Sequence, residues 1–167
     1  CVRLKRVDTS MWDMSSAETL YCIFSGCRSL IYLDVRNWNV SRVRDFTGAF
    51  SRCILLREID VSKWDMSSAE DLTSMFAECY ALKIIDVSKW NISNVKRMNF
   101  MFYRCESLTE LNVTRWPVQS CIEFIRVFAG CINLVKLNVF FWRLHKDANT
   151  YCAFYGCNRL QHLFLPR

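Results

Sequence analysis

The chain has 167 residues, enough for one domain with a substantial core, and 52% of them are hydrophobic, which excludes a disordered, highly charged tail. With only 4 Gly and 2 Pro, a fold of many tight glycine turns or a flexible linker is not expected; the formal charge of +6 favours acidic partners only weakly. No uninterrupted apolar run approaches the roughly 18 residues that span a bilayer, and the opening Cys1-Val2-Arg3-Leu4 reads neither as a signal peptide nor as an initiator-Met start, so a processed or partial chain is expected.

In chain order, the first recognisable unit begins near Val7 with a short alternating run and reaches Trp12. The same unit begins again near Leu33, Ile59, Ile85, Leu111 and Leu137, with Trp38, Trp64, Trp90, Trp116 and Trp142 always 26 residues apart. All 6 Trp of the chain are used in this way. Phe24, Phe50, Phe76, Phe102, Phe128 and Phe154 keep the same step, as do Leu4 to Leu160 and the column Cys1, Cys27, Cys53, Cys79, Cys105, Cys131 and Cys157. A fifth column runs Asp8, Asp34, Asp60, Asp86, Asn112 and Asn138. No insertion interrupts the repeat, so successive units are expected to stack in register.

Within one unit, Leu82, Ile85 and Val87 read Leu-x-x-Ile-x-Val, whose last part alternates as a strand does, so parallel strands about 4.8 Å apart are predicted. In the stretch before it, Ala69, Leu72, Met75, Phe76 and Cys79 recur at steps of three and four, the spacing of one helix face, and Ser67 with Glu70 and Ser15 with Glu18 have capping-box spacing. The expectation is an α/β solenoid: one domain over residues 1–167, of about six 26-residue coils, each a short parallel strand plus a short helix, with partial coils at both ends.

Segments such as Ile59-Asp60-Val61-Ser62-Lys63-Trp64-Asp65-Met66-Ser67 and Met101-Phe102-Tyr103-Arg104-Cys105-Glu106-Ser107-Leu108 resemble the BspA-like leucine-rich repeat, a 26-residue surface-protein repeat of bacteria and protists. The resemblance covers essentially the whole chain. It implies a leucine-rich-repeat-like solenoid, roles in adhesion and protein binding, and no enzymatic activity of the repeat itself. Pro117 and Arg143 replace the Asp or Asn after Trp, and Gln119 and His145 replace the Ser, so the last two full copies depart from the pattern.

The columns also invite chemical readings. Zinc sites use close pairs of ligands, whereas these cysteines are 26 residues apart, so a column of small buried hydrophobes is expected, with lipidation of Cys1 a lesser alternative. The Asp row is uniform, unlike the environmentally distinguished carboxylates of an acid–base pair, and reads as hydrogen-bonded turn residues. His145 and His162 have no nucleophile at a motif spacing, and no Gly-rich phosphate loop exists. Neither a catalytic residue nor a cofactor or metal is expected, and nucleic acid is an unlikely partner. The family points to the cell surface and the many free cysteines to a reducing interior, so the compartment is left open.

One departure marks a candidate contact site. Before the Trp, other copies carry pairs such as Ser62-Lys63 and Thr114-Arg115, whereas the last full copy carries Phe140-Phe141, and in the next, partial copy Phe164 stands in the Asp column. Phe140, Phe141 and Phe164 are expected to meet a partner or a further segment of chain. The second candidate is the strand surface around Tyr32, Glu58 and Ile84. Two functions are expected: a protein-binding module, adhesin-like or scaffold, or a structural accessory subunit embedded in a large assembly, with further repeats or subunits capping its ends.

Overall fold

The computed structural model describes residues 1–164, with side chains through residue 161. Short strands recur once per repeat: β1 (Arg6–Val7), β2 (Tyr32–Leu33), β3 (Glu58–Ile59), β4 (Ile84–Ile85), β5 (Glu110–Leu111), β6 (Lys136–Asn138) and β7 (His162–Phe164). All pairings are parallel, β1 with β2, β3 with β4, and β5 with β6 with β7. The register matches equivalent residues of neighbouring copies, as Glu58 with Ile84 and Glu110 with Lys136. The strands are short because the Asp column ends most of them at once. The Asp60 carboxylate accepts the Ser62 N–H at 3.1 Å and the Asp86 carboxylate the Ser88 N–H at 3.0 Å, which turns the chain away from extended pairing.

The helices implied by the three-and-four spacing do not form: among the described residues each coil is strand and turns, with no helix. The reason lies in where the N–H groups go. Leu72, Ser74, Phe76 and Glu78 donate to the carbonyls of Arg97, Asn99, Met101 and Tyr103 in the next coil at 2.7–2.9 Å. The residues between them, Met75 and Ala77, and then Cys79, donate back three residues at 3.1–3.2 Å. With every second N–H leaving the coil, an i to i−4 ladder is impossible. Ser74 and Glu78 have φ of 56° and 59°, the left-handed conformation of the third residue in a type II turn. The pair of left-handed positions recurs in every coil, and all 4 glycines of the chain occupy such positions, the others being filled by Cys, Ser, Phe, Arg and Glu. Bridges Thr19 to Asp45, Asp45 to Asp71 and onward to Asn149 stitch this side of the stack together.

Spacing makes the same point. Phe ring centroids of adjacent coils lie 5.4–6.1 Å apart, close to the spacing of strands, whereas packed helices need about 8–10 Å. The supposed capping boxes are turns as well: the Ser67 and Ser15 N–H groups go to the carboxylates of Asp65 and Asp13 at 3.0 and 2.9 Å.

The core is a set of ladders. Phe50, Phe76 and Phe102 are wholly buried and stacked face to face. The Trp column stacks beside them, and the indole N–H of Trp64, Trp90, Trp116 and Trp142 donates to the carbonyls of Val35, Val61, Val87 and Val113 at 2.8–3.0 Å. Trp38 lacks this bond; its buried indole N–H has no partner, and Thr9 rather than Val stands at the equivalent place in the coil before it. In the last full copy, where Arg143 and His145 break the pattern, the turn slips by one residue. Ala148 donates to the His145 carbonyl at 3.0 Å, whereas in the preceding copy Cys121 donates to Val118.

Candidate functional site

The strand side carries the chain's outward-facing variation. Alternation along each strand puts Tyr32 with Asp34, Glu58 with Asp60 and Ile84 with Asp86 on one face, and the stacking brings the three pairs together. They line a groove of about 420 Å³, with Arg36 and Ser62 at its margin. Tyr32 and Ile84 are 40% and 66% exposed, so the groove has apolar walls open to solvent. The three residues expected as a second contact surface therefore share one depression.

Its charges are not equivalent. Asp34 holds Arg36 in a two-point pair at 2.8 and 2.9 Å, and that guanidinium keeps the Asp34 carboxyl below its usual value. The Ser62 and Ser88 hydroxyls hold the Asp60 and Asp86 carboxyls below theirs, with help from the backbone N–H groups. Glu58, Asp60 and Asp86 make no ion pair among the described residues. The Asp row is thus a run of turn-forming carboxylates; Asn112 and Asn138 perform the same turn by accepting the N–H of Thr114 and Phe140.

At the C-terminal end of this face, Phe140 and Phe141 are 45% and 65% exposed, and their rings meet edge to face with centroids 5.2 Å apart. The third residue expected there, Phe164, pairs through its backbone with Asn138, and its side chain lies outside the described residues. The Phe pair and the Tyr32–Ile84 groove belong to different coils.

Of the cysteine column, Cys27 to Cys131 are buried, Cys157 is half-buried and Cys1 is exposed, and the thiols from Cys53 on reach back one coil. Cys53, Cys79, Cys105, Cys131 and Cys157 donate to the carbonyls of Phe24, Phe50, Phe76, Phe102 and Phe128 at 3.1–3.3 Å. All 10 cysteines are free thiols. Burial pushes the Cys53 thiol up to about 12 and that of Cys157 to about 11, so neither ionises near neutral pH. Among the described residues no three His, Cys, Asp or Glu side chains gather as metal ligands do, and no helix is long and apolar enough to cross a membrane.

The grouping of Asp60 and Asp86 with Tyr32, Glu58 and Ile84 went unnoticed in the sequence, although the signal was there: residues two apart on a strand share a face. The pairing of Arg36 with Asp34 left no such trace, since Arg36 occurs in one copy only.

The coils define a leucine-rich-repeat-like architecture. A crystallised leucine-rich repeat protein from Bacteroides ovatus ATCC 8483 is similar in fold, with a TM-score of 0.51 and 21% identity over 87% of this chain and 40% of that one. The chain therefore spans well under half the length of that protein. The profile of the family described as Mycoplasma protein of unknown function, DUF285, matches residues 2–86 and again 76–164, and the chain belongs to that family. No curated protein matches its sequence.

Proposed function

We infer that the chain is a non-catalytic protein-binding solenoid of BspA-like type, serving as an adhesin-like module or scaffold, and that Phe140 and Phe141 anchor its partner. The observation that carries this is the bare aromatic pair, where the preceding coils place Ser62-Lys63, Ser88-Lys89 and Thr114-Arg115. Exposed apolar residues in contact are costly to leave in water, and aromatic anchors concentrate binding energy at interfaces. The repeat family and the leucine-rich-repeat-like neighbour support an interaction module. The alternative, an accessory subunit embedded in a large assembly, differs in that the purified chain would need its neighbours to stay soluble.

The test is site-specific photo-crosslinking in the producing cell. A photoreactive phenylalanine analogue at position 141 should capture a discrete protein that the same analogue at position 63 does not. The Phe140→Ser, Phe141→Lys double variant restores residue types that earlier coils carry and should fold, yet lose that partner. Equal capture from both positions, or undiminished binding by the double variant, overturns the assignment.

A further inference from the structure

We propose that the groove between Tyr32, Glu58 and Ile84 takes an extended polypeptide segment bearing Lys or Arg, resting on the protein-binding reading above but at a second place on the same face. The local charge runs against that of the whole chain. A protein of formal charge +6 lines this groove with four carboxylates, Asp34, Glu58, Asp60 and Asp86, against the single guanidinium of Arg36, and that guanidinium is already committed to Asp34. Lys63 and Lys89 lie just beyond, close enough to act on Asp60 and Asp86, but form no ion pair with them.

The apolar walls specify more than charge. Tyr32 and Ile84 flank Glu58 one coil to either side, so a long aliphatic stem can lie over them while its charged head reaches the carboxylates. Lys and Arg side chains have that division, an apolar stem with a cationic tip. Tyr32 already lies against a guanidinium, Arg6 being 5.6 Å from its ring centre, so the ring face is used for cations within the chain itself. An acidic or purely apolar segment would leave Glu58, Asp60 and Asp86 without an ion-pair partner, offset only by the more distant Arg36, Lys63 and Lys89.

The groove can be discharged without touching the fold. Asn already fills the Asp column at Asn112 and Asn138 and accepts the same turn hydrogen bond. The position of Glu58 holds Arg, Tyr, Ile and Lys in other copies. The test is fluorescence anisotropy of the full chain with a labelled nonapeptide of three Lys-Thr-Leu units, and with its Glu-Thr-Leu counterpart. The Lys peptide should bind and the Glu peptide should not. The Glu58→Gln, Asp60→Asn, Asp86→Asn variant should weaken the Lys peptide about tenfold or more, and added salt should act in the same direction. Equal binding of both peptides, unchanged affinity in the triple variant, or no binding by the wild type overturns the proposal. The Phe140→Ser, Phe141→Lys variant, run in the same titration, separates the two readings. It should leave the Lys peptide's affinity unchanged; if it alone abolishes binding, the groove assignment fails and the aromatic pair stands.

Discussion

At the residue scale, stability rests on buried ladders. Phe76 is wholly buried and stacks on Phe50 and Phe102 at 5.4 and 5.6 Å, so Phe76→Ala removes two ring contacts at once. The change should cost about 3–5 kcal/mol in chemical unfolding, and a loss below about 1 kcal/mol would contradict the inward assignment. Carboxylates add a pH dependence. The Asp60, Asp65 and Asp86 carboxyls are all held below their ordinary pKa in the folded state because Ser62, Ser67 and Ser88 hydrogen-bond to the ionised form. Asp71 follows: its burial opposes ionisation, but Thr73 and Arg97 outweigh it. A depressed folded-state pKa stabilises the fold above the unfolded value and loses that effect as pH falls through the folded one. The midpoint of thermal unfolding should therefore drop as pH falls from about 5 towards 2, and an Asp60→Asn, Asp86→Asn variant should show a shallower drop. The thiols make a further check. In the native protein the exposed Cys1 should react first with a thiol reagent and the buried Cys79 and Cys105 only after denaturation. Few titratable thiols in denaturant without reductant would show the column to be oxidised.

At the element scale lies the main difference between expectation and structure. Strand positions were legible because alternation over Ile85 and Val87, repeated in the other copies, has one common physical origin. The spacing of Ala69, Leu72, Met75, Phe76 and Cys79 has two, since consecutive turns closing over three residues bring the same positions inward as a helix does. What separates them is the destination of alternate N–H groups, a property of the backbone that side-chain pattern does not record. The left-handed positions left only a partial trace, because Arg52, Ser74, Glu78 and Phe100 stand where glycine stands elsewhere. The exposed Phe140-Phe141 pair was legible for the opposite reason: one copy differs from its neighbours at positions facing outward. Gly130 tests the turn assignment. Its φ is 77°, and an added Cβ would lie 2.9 Å from Arg104 Cγ, whereas at Gly26, with φ of 71°, an added Cβ meets nothing within 4 Å. Gly26→Ala should thus cost only the backbone term, about 1–2 kcal/mol, and Gly130→Ala measurably more by denaturant titration. Equal losses would mean that the Arg104 side chain yields freely. Far-UV circular dichroism should show no helical minima in either variant or in the parent.

At the scale of the whole molecule, contacts run between adjacent coils, so stability should behave as a chain of nearest-neighbour couplings. Removing residues 59–84, one full repeat, joins Glu58 to Ile85 and preserves every register; the shortened protein should fold and melt cooperatively. Removing about half of that span should abolish folding, because inward and outward positions would then exchange. Most turn-side hydrogen bonds between these coils also share one sense. Leu20 donates to Asp45, Phe46 to Asp71, Leu72 to Arg97, Met98 to Glu123 and Phe124 to Asn149, towards the higher-numbered coil, against a smaller opposed set that includes Arg44 to Glu18, Lys96 to Glu70 and Ile122 to Lys96. Peptide dipoles aligned head to tail add, as they do along a helix. This side of the stack is consequently a lengthwise electric axis, partially negative where the carbonyls of Tyr21, Ile23 and Ser25 begin it and partially positive where the N–H groups of Cys152, Phe154 and Gly156 finish it. On this side the two ends of the stack are therefore unlike: a polypeptide joining the first coil there meets mainly carbonyls and must offer N–H groups, whereas one joining the last meets mainly N–H groups and must offer carbonyls.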